Sequence, residues 1–569
     1  MSLFEKILQA RGMTPDQRAV FLSPNYQAKH DPFLLPDMQV AVDRLVIARE
    51  KQERITIYGD YDIDGLTATT LLIDALASFG FENVSAFIPN RFVEGYGLTI
   101  DAVEKIAADG ADLILTVDCG SLSHAEIERA NELGVSVIVT DHHNVADTPP
   151  PAVATINPKR LLHDYPDMYD KYVLKTDTDV SLDPETAQNL YPFLDLPGVG
   201  VAFKLVQALQ TVLPGLEDGQ EKWLLDLVAL GTVCDVVTLV DENRMHVYWG
   251  LKVLAHTRRP GLKALMAVAA VRPDAVNARS LGFGLGPRMN ASGRMETAQH
   301  ALDLLTATDG MEALTIAHKL DDMNKARRTE QDKILKAAII QAEEYALLPV
   351  LVVSAPGWNH GIVGIVAAKL LEKYKKPTYV LEEMGEESKG SARSYGDFSA
   401  ADAIRASDDI IIKGGGHKLA AGVTMPTKNI AAFRKRVNDF YLQQKLFNQP
   451  ALLLPKADTD ATLHDLDEEL IDTIKQLEPF GNGNPQPILK SAHVLVMNRR
   501  TMGVDSQHVK LTLEMDDRSI DMIAFSAPAH FFVEPGEYVN VWYTVDVNEW
   551  NGRRSVEGQL LHLEMSEKH

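Results

Sequence analysis

Cysteine is nearly missing: Cys119 and Cys234 are the only two among 569 residues. That excludes a disulfide framework and a thiolate metal site, and it points to a reducing compartment. Long apolar runs are missing as well. No stretch approaches the ~18 residues that a membrane-spanning helix needs. The opening residues Met1-Ser2-Leu3-Phe4-Glu5-Lys6 lack the basic stretch and apolar run of an export signal, so the expected location is the cytoplasm and no membrane partner is expected. Positive charge is short: 56 Lys and Arg against 79 Asp and Glu leave a net charge of −23. A broadly basic coat for duplex nucleic acid is thereby excluded. Carboxylates that hold divalent cations add acidic residues without repelling phosphate once loaded, so nucleases and phosphatases remain open. With 46% apolar and 24% charged residues the chain has the balance of globular domains, and its length predicts three or four of them.

What is present is first an α/β rhythm. Ile55-Thr56-Ile57-Tyr58, Val84–Ile88, Leu113–Val117 and Val135–Val139 read as buried strands, with amphipathic helices expected near 65–79, 99–109 and 122–133. Unbroken apolar runs with helical crossovers predict a doubly wound parallel sheet, which binds ligands at the carboxyl ends of its strands. Residues 161–190 break the rhythm with seven acids against two lysines and read as a mobile surface insertion. From Met311 to Leu347 no proline or glycine interrupts a long helix pattern, fit to join two domains. A second α/β unit follows, with strands at 350–353 and 378–381, a helix at 362–374, and Ile410-Ile411-Ile412 running as a strand into Gly414-Gly415-Gly416. Beyond about residue 450 the alternation of Val509–Leu513 and Tyr538–Tyr543, with a hairpin signal at Asn551-Gly552, predicts a small antiparallel β barrel of OB type. Arg499, Arg500, Arg553 and Arg554 with Trp542, Tyr543 and Trp550 suit a single-strand groove there, but aromatics at alternating positions are as often barrel core.

The sharpest chemical signal is Tyr58-Gly59-Asp60-Tyr61-Asp62-Ile63-Asp64-Gly65 at the end of the first strand. Three carboxylates at alternate positions repel one another unless a cation sits among them. An EF-hand loop fails, because its twelfth position here is Leu71 and a strand, not a helix, precedes it. A helix N-cap needs one aspartate, not three. The next two strands run into Asp118-Cys119-Gly120 and Thr140-Asp141-His142-His143, and a later apolar helix ends at Asp235. Acids and imidazoles thus gather on one sheet edge, a donor set that favours Mn²⁺ or Mg²⁺ over a structural zinc, although Zn²⁺ or Co²⁺ also fits it. Gly414-Gly415-Gly416-His417 reads as exposed backbone amides ahead of a helix, an anion site; no Gly-Lys-Ser/Thr follows it, so it is not a Walker loop.

On these motifs, and on Pro89–Leu98, Gly286–Arg294, Gly414–Gly422 and Leu477–Pro485, the sequence resembles the DHH phosphoesterase superfamily and, within it, the RecJ single-strand-specific exonucleases. The resemblance implies an N-terminal extension (1–45), a DHH catalytic domain (46–310), a linker helix (311–347), a DHH-associated domain (348–450) and an OB-fold (451–569). It implies single-stranded DNA cut from the 5′ end to 5′-mononucleotides, in recombination and repair, with a single-strand-binding protein and a RecQ-type helicase as partners; the set of domains itself suits a monomer. Asp64, Asp118, His142 and Asp235 are implied as ligands of one Mn²⁺ or Mg²⁺. Asp62 and Asp118, with Asp60 nearby, would hold a second, and His143 would face the scissile phosphate; two such cations activate water and offset charge on both oxygens in flight. Arg91, Arg294, Ser391 and Arg393 match positions that hold the 5′-terminal phosphate, and Gly414, Gly415, Gly416 and His417 a phosphodiester. Tyr58 stands where many superfamily members carry a metal-binding histidine. His360 lies one place later than the family pattern and is given no role. A phosphoesterase for short oligonucleotides or cyclic dinucleotides is the alternative, but it has no need of residues 455–569; a scaffold without catalysis has no need of four intact ligand motifs.

Overall fold

The computed structural model describes residues 1–95, 97–164, 190–446, 450–503, 505–550 and 553–566. Most of the acidic stretch 161–190 and the Asn551-Gly552 turn lie outside the described residues. The chain forms two compact units: Ala28–Pro450, and a second that joins Met1–Gln27 to Ala451–His569.

The first unit begins with a parallel sheet. Strands β1 (Ile55–Gly59), β2 (Val84–Phe87), β3 (Leu113–Val117), β4 (Ser136–Thr140) and β5 (Ala154–Ile156) lie in the order β2-β1-β3-β4-β5, every neighbouring pair parallel. β1 and β3 are buried at every residue, as apolar strands covered on both faces must be. The helices Ile63–Ser78, Ile100–Ala108 and His124–Glu132 make the crossovers. Farther on, Gly198–Gln210 and Leu225–Cys234 pack on Ile63–Ser78. A six-residue π turn, Ser280–Leu285, feeds the Gly286–Met295 helix that carries Arg288 and Arg294. The linker is one 35-residue helix, Gly310–Glu344, N-capped by Asp309, and Arg288 Nε reaches its Asp321 at 2.8 Å.

The second sheet is mixed. β6 (Leu351–Pro356) and β7 (Thr378–Met384) are parallel. β8 (Glu387–Arg393), β10 (Ala420–Pro426) and the edge strand β9 (Lys413–Gly416) continue antiparallel, in the order β6-β7-β8-β10-β9. Two expectations are corrected here. Ile410 and Ile411 are not a strand; they turn and pack on the domain core, and pairing starts where Ile412 N donates to Thr424 O. The glycines are themselves the edge strand, and no helix follows: His417 turns directly into β10, with Gly416 at φ +136°.

The second unit is a closed barrel. β12 (Leu489–Met502) pairs antiparallel with both β13 (His508–Met515) and β15 (Tyr538–Trp550); β14 (Arg518–Ala524) pairs antiparallel with β13 and parallel with β16 (Arg553–Met565), and β15–β16 completes the ring. A short β11 (Thr459–Asp460) joins β12 in parallel. The helices Leu3–Ala10 and Pro15–Leu22 belong here: Leu3, Ile7 and Leu8 are part of the barrel core, and Arg11 bonds Asn484 and Asp458. Residues 1–45 are therefore shared between two units, since Met38–Lys51 packs on β5 and the Gly198–Gln210 helix. Of the side chains expected to line a groove, Tyr543 is core, its hydroxyl 2.7 Å from Ser491 Oγ. Arg499 is tied to Phe532 O and Glu534, and Arg554 to Glu468. Arg500 is exposed, and Trp542 is half-buried beneath Lys490 Nζ, 4.7 Å from its ring.

Candidate metal centre

The ends of β1, β3 and β4 share one edge of the parallel sheet, and each ends in the residues singled out above. Asp62 N-caps the Ile63–Ser78 helix, its Oδ1 accepting from Asp64 N (2.9 Å) and Gly65 N (3.2 Å). Gly65 is required there, because a Cβ would stand 2.5 Å from the Asp60 carbonyl oxygen. Asp64 faces the start of the Gly198–Gln210 helix and accepts from Gly198 N (2.5 Å) and Val199 N (2.8 Å), where free helix amides favour an anion. Asp118 ends β3 in the left-handed region, φ +61°, a conformation Asp tolerates better than most residues. Asp235 follows the apolar Leu225–Cys234 helix.

These groups converge. The donor atoms of Asp60, Asp62 and Asp118 form one set within 4.8 Å; those of Asp64, His142 and Asp235 form a second, and Asp118, His142 and His143 a third. His142 Nε2 lies 3.1 Å from Asp118 Oδ1, 3.8 Å from Asp64 Oδ2 and 3.7 Å from Asp235 Oδ2. Burial, then the neighbouring carboxylates, pushes Asp60 up to about 8, Asp64 to about 7 and Asp235 to about 9, and holds Asp118 well above the usual range. His142 is pushed down to about 3 by burial and by His143, so it is the neutral imidazole a metal ion takes. Four buried atoms, Asp60 Oδ1, Asp118 Oδ1, Asp235 Oδ2 and His142 Nε2, have no hydrogen-bond partner. Buried polar atoms are almost always satisfied, and all four belong to the converging sets. The residues fit divalent cations bound by oxygen and imidazole, the Mn²⁺ and Mg²⁺ class.

Three contributors, Asp141 of the Asp141-His142-His143 triplet among them, were given no role by the sequence. Asp141 is not one of the converging donors: its Oδ1 accepts from His143 Nδ1 (2.9 Å) and from the backbone N–H of His142 and His143, and its Oδ2 accepts from Ser121 N. Burial opposes its charge, yet the His143 bond wins and lowers its pKa. Burial also opposes the charge of His143, and there the Asp141 bond carries the pKa upward. His143 Nδ1 therefore donates, which fixes the ring plane and turns Nε2 away from Asp141. Asn157 Nδ2 bonds Ser121 Oγ (2.8 Å) and His143 O (2.9 Å), bracing the same loop. Gly198 lets the helix approach: a Cβ there would sit 2.6 Å from Asp118 Cβ. Tyr58 turns away into the core, stacks on Phe87 and donates to Gly97 O at 2.8 Å, anchoring the 89–98 loop.

A second set gathers between the two α/β domains. Arg91 lies over the Tyr61 ring, 4.2 Å from its centroid. Arg294 is pushed down to about 9 by burial and then by the charges of Arg91, Arg327 and Arg393, and its NH1 donates to Gly361 O at 2.9 Å. Ser391 and Arg393 end β8 against Gly364, where a Cβ would meet Arg393 NH2 at 3.2 Å and Ser391 Oγ at 3.4 Å. None of Arg91, Arg294 and Arg393 forms a salt bridge among the described residues. Gly414, Gly415, Gly416 and His417 are exposed, and burial and then the charges of His143 and Lys159 lower the His417 pKa.

The chain matches three family models in succession: the DHH family N-terminal domain over residues 54–232, the DHHA1 domain over 347–443 and the RecJ OB domain over 457–562. The single-stranded-DNA-specific exonuclease RecJ of Bacillus subtilis (strain 168) is 34% identical over 571 residues, covering 99% of this chain and 68% of the relative. That of Escherichia coli (strain K12) is 33% identical over 552 residues, covering 92% and 89%. The crystal structure of RecJ in complex with Mn²⁺ from Thermus thermophilus superposes with a TM-score of 0.76 at 28% identity, covering 99% of this chain and 78% of that one. A crystal structure of exonuclease RecJ bound to manganese gives 0.59 at 33% identity over 76% and 98%. With converging carboxylates and imidazoles at the strand ends, three domain matches in order and this identity along its length, the chain belongs to the RecJ family of the DHH superfamily.

Proposed function

We propose that this chain is a metal-dependent exonuclease that degrades single-stranded DNA from the 5′ end and releases 5′-mononucleotides in DNA recombination and repair. The observation that carries the reading is the set of four buried, unsatisfied donor atoms at the strand ends. Asp64, Asp118, His142 and Asp235 would hold one Mn²⁺ or Mg²⁺; Asp62 and Asp118, with Asp60 beside them, would hold a second. When bound, such cations activate water near neutral pH and offset charge on phosphoryl oxygens. Asp118 belongs to both sets and would be shared between the two cations. His143, its Nδ1–H held by Asp141, presents Nε2 to a nonbridging oxygen of the scissile phosphate. Arg91, Arg294, Arg393 and the Ser391 hydroxyl receive the 5′-terminal phosphate through charge-assisted bonds. The exposed Gly414–Gly416 edge offers backbone amides to the adjacent phosphodiester, and His417, whose own N–H is taken by Ala420 O, brings its side chain. The barrel supports a hold on longer strands. No helix among the described residues is long and apolar enough to cross a membrane, and the enzyme works in the cytoplasm as a monomer beside a single-strand-binding protein and a RecQ-type helicase.

The test is cleavage of long single strands, duplexes and dinucleotides with Mn²⁺, by the parent and by Asp118→Ala. Turnover confined to single strands with a free 5′ end, lost by orders of magnitude in Asp118→Ala with the fold intact, is expected. Near-normal turnover of the variant with unchanged metal content overturns the ligand assignment, and preference for dinucleotides overturns the substrate.

A further inference from the structure

The turn between β6 and the Val363–Tyr374 helix holds His360 in an arrangement that the reaction above does not use. Glu382 on β7 accepts from the backbone N–H of His360 at 2.9 Å, and the same oxygen lies 2.7 Å from His360 Nδ1. A carboxylate only accepts, so Nδ1 carries the proton and Nε2 is the nitrogen left over. Phe92 sets its ring edge-on against the imidazole, centroids 5.1 Å apart, so the histidine is gripped by a loop of the first α/β domain and a strand of the second. This is far more restraint than a solvated loop histidine receives.

The chain neighbours of His360 and Phe92 lead into the arginine set. Residue 91, next to Phe92, is one of the arginines named above; Gly361, next to His360, accepts from Arg294; and Gly364, four residues on, touches Ser391 and Arg393. His360 is thus attached on both sides to the residues assigned to the strand end. A terminal phosphate monoester carries a charge of about −1.5 to −2, more than an internal diester. That extra charge rewards a further charge-assisted donor beside it.

We propose that His360, oriented by Glu382, is a further contact for the terminal phosphate, donating from Nε2 to one of its oxygens. Glu382 is a positioning residue: it fixes the ring plane and the tautomer without touching the strand. The inference rests on the 5′-phosphate reading of the arginine set, and its test separates the two.

The measurement is kcat/KM with Mn²⁺ on one oligodeoxynucleotide carrying either a 5′-phosphate or a 5′-hydroxyl, for the parent, His360→Gln, Glu382→Gln and Arg393→Ala. The ratio of the two values, phosphate over hydroxyl, reads recognition of the end and cancels a general loss of folding or metal. It is expected to fall about tenfold in His360→Gln, the scale of one charge-assisted bond, and less in Glu382→Gln, in which the ring remains. If the ratio falls in Arg393→Ala but stays at the parent's value in both His360→Gln and Glu382→Gln, the His360 contact is overturned and the arginine pocket stands. A parent ratio near one overturns the pocket itself.

Discussion

Asp118 and Gly198 show how closely single residues are fitted at the metal centre. Asp118 occupies a left-handed backbone conformation at a strand end, and the helix bearing Gly198 approaches it so closely that one methyl group does not fit. Strain of this kind persists where the surroundings over-determine it. Gly198→Ala should therefore destabilise the protein by about 1–3 kcal/mol through overpacking and weaken Mn²⁺ binding in isothermal titration; unchanged affinity would mean that the centre tolerates the shift. The carboxylates were legible in the sequence because alternate acids after an apolar run have few innocent uses. Gly198 was not, since its role depends on which backbone arrives from elsewhere; Asp141 stood out within its motif, but its part in orienting His143 did not. A different buried residue adds to the loss of stability in acid. His246 is fully buried with neither ring nitrogen hydrogen-bonded, and burial pushes its pKa down to about 4 against an ordinary 6.5. Between those values the unfolded chain binds a proton that the folded one refuses, so this contribution is complete above pH 6.5 and lost as pH falls through 4. In urea titrations, His246→Leu should flatten the gain in stability from about pH 4 to 7 by on the order of 3 kcal/mol. Parallel pH curves for the two proteins would assign the acid sensitivity to other groups.

Among the elements, the edge strand β9 departs most from expectation. The parallel strands and the Gly310–Glu344 helix announce themselves through side-chain periodicity. Lys413–Gly416 does not, because three glycines carry no side chains in which a two-residue period could appear. Glycine within a strand marks a place where another backbone or a ligand approaches closely, and the two kinds of place can be told apart. At Gly414 a Cβ would stand 2.5 Å from Ile404 Cγ2, whereas at Gly415 nothing lies within 4 Å. Gly414→Ala should lose about 1–3 kcal/mol of stability. Gly415→Ala should stay within about 0.5 kcal/mol of the parent yet cleave single strands more slowly, because the added methyl stands where the phosphodiester is received. Full activity of Gly415→Ala would remove the strand from the proposed binding surface.

The molecule as a whole divides at places that its sequence does not mark. That the barrel exists is legible from alternation and turn residues; that its core includes Leu3, Ile7 and Leu8 is not, since contacts spanning more than four hundred residues leave no local pattern. Removing the barrel by deleting 451–569 alone strands those apolar side chains in water and should yield a protein that aggregates. A 28–450 chain, cut at both ends, should fold. It should bind long single strands more weakly than the full protein and with a shallower slope of log K against log salt, because phosphate contacts are lost. An unchanged slope would mean that the barrel makes none.

The union of the first 27 residues with the last 119 also sets an order in time. A ribosome emits the Leu3–Ala10 and Pro15–Leu22 helices before the α/β body, then spends roughly 20–85 s on the intervening 423 residues at about 5–20 residues per second. Throughout that interval the α/β body can close around its own core while the leading helices have nothing to pack against. Their greasy face must wait, or be shielded by a chaperone, until the final strand emerges. Synthesis thus finishes the nuclease body before the barrel can form.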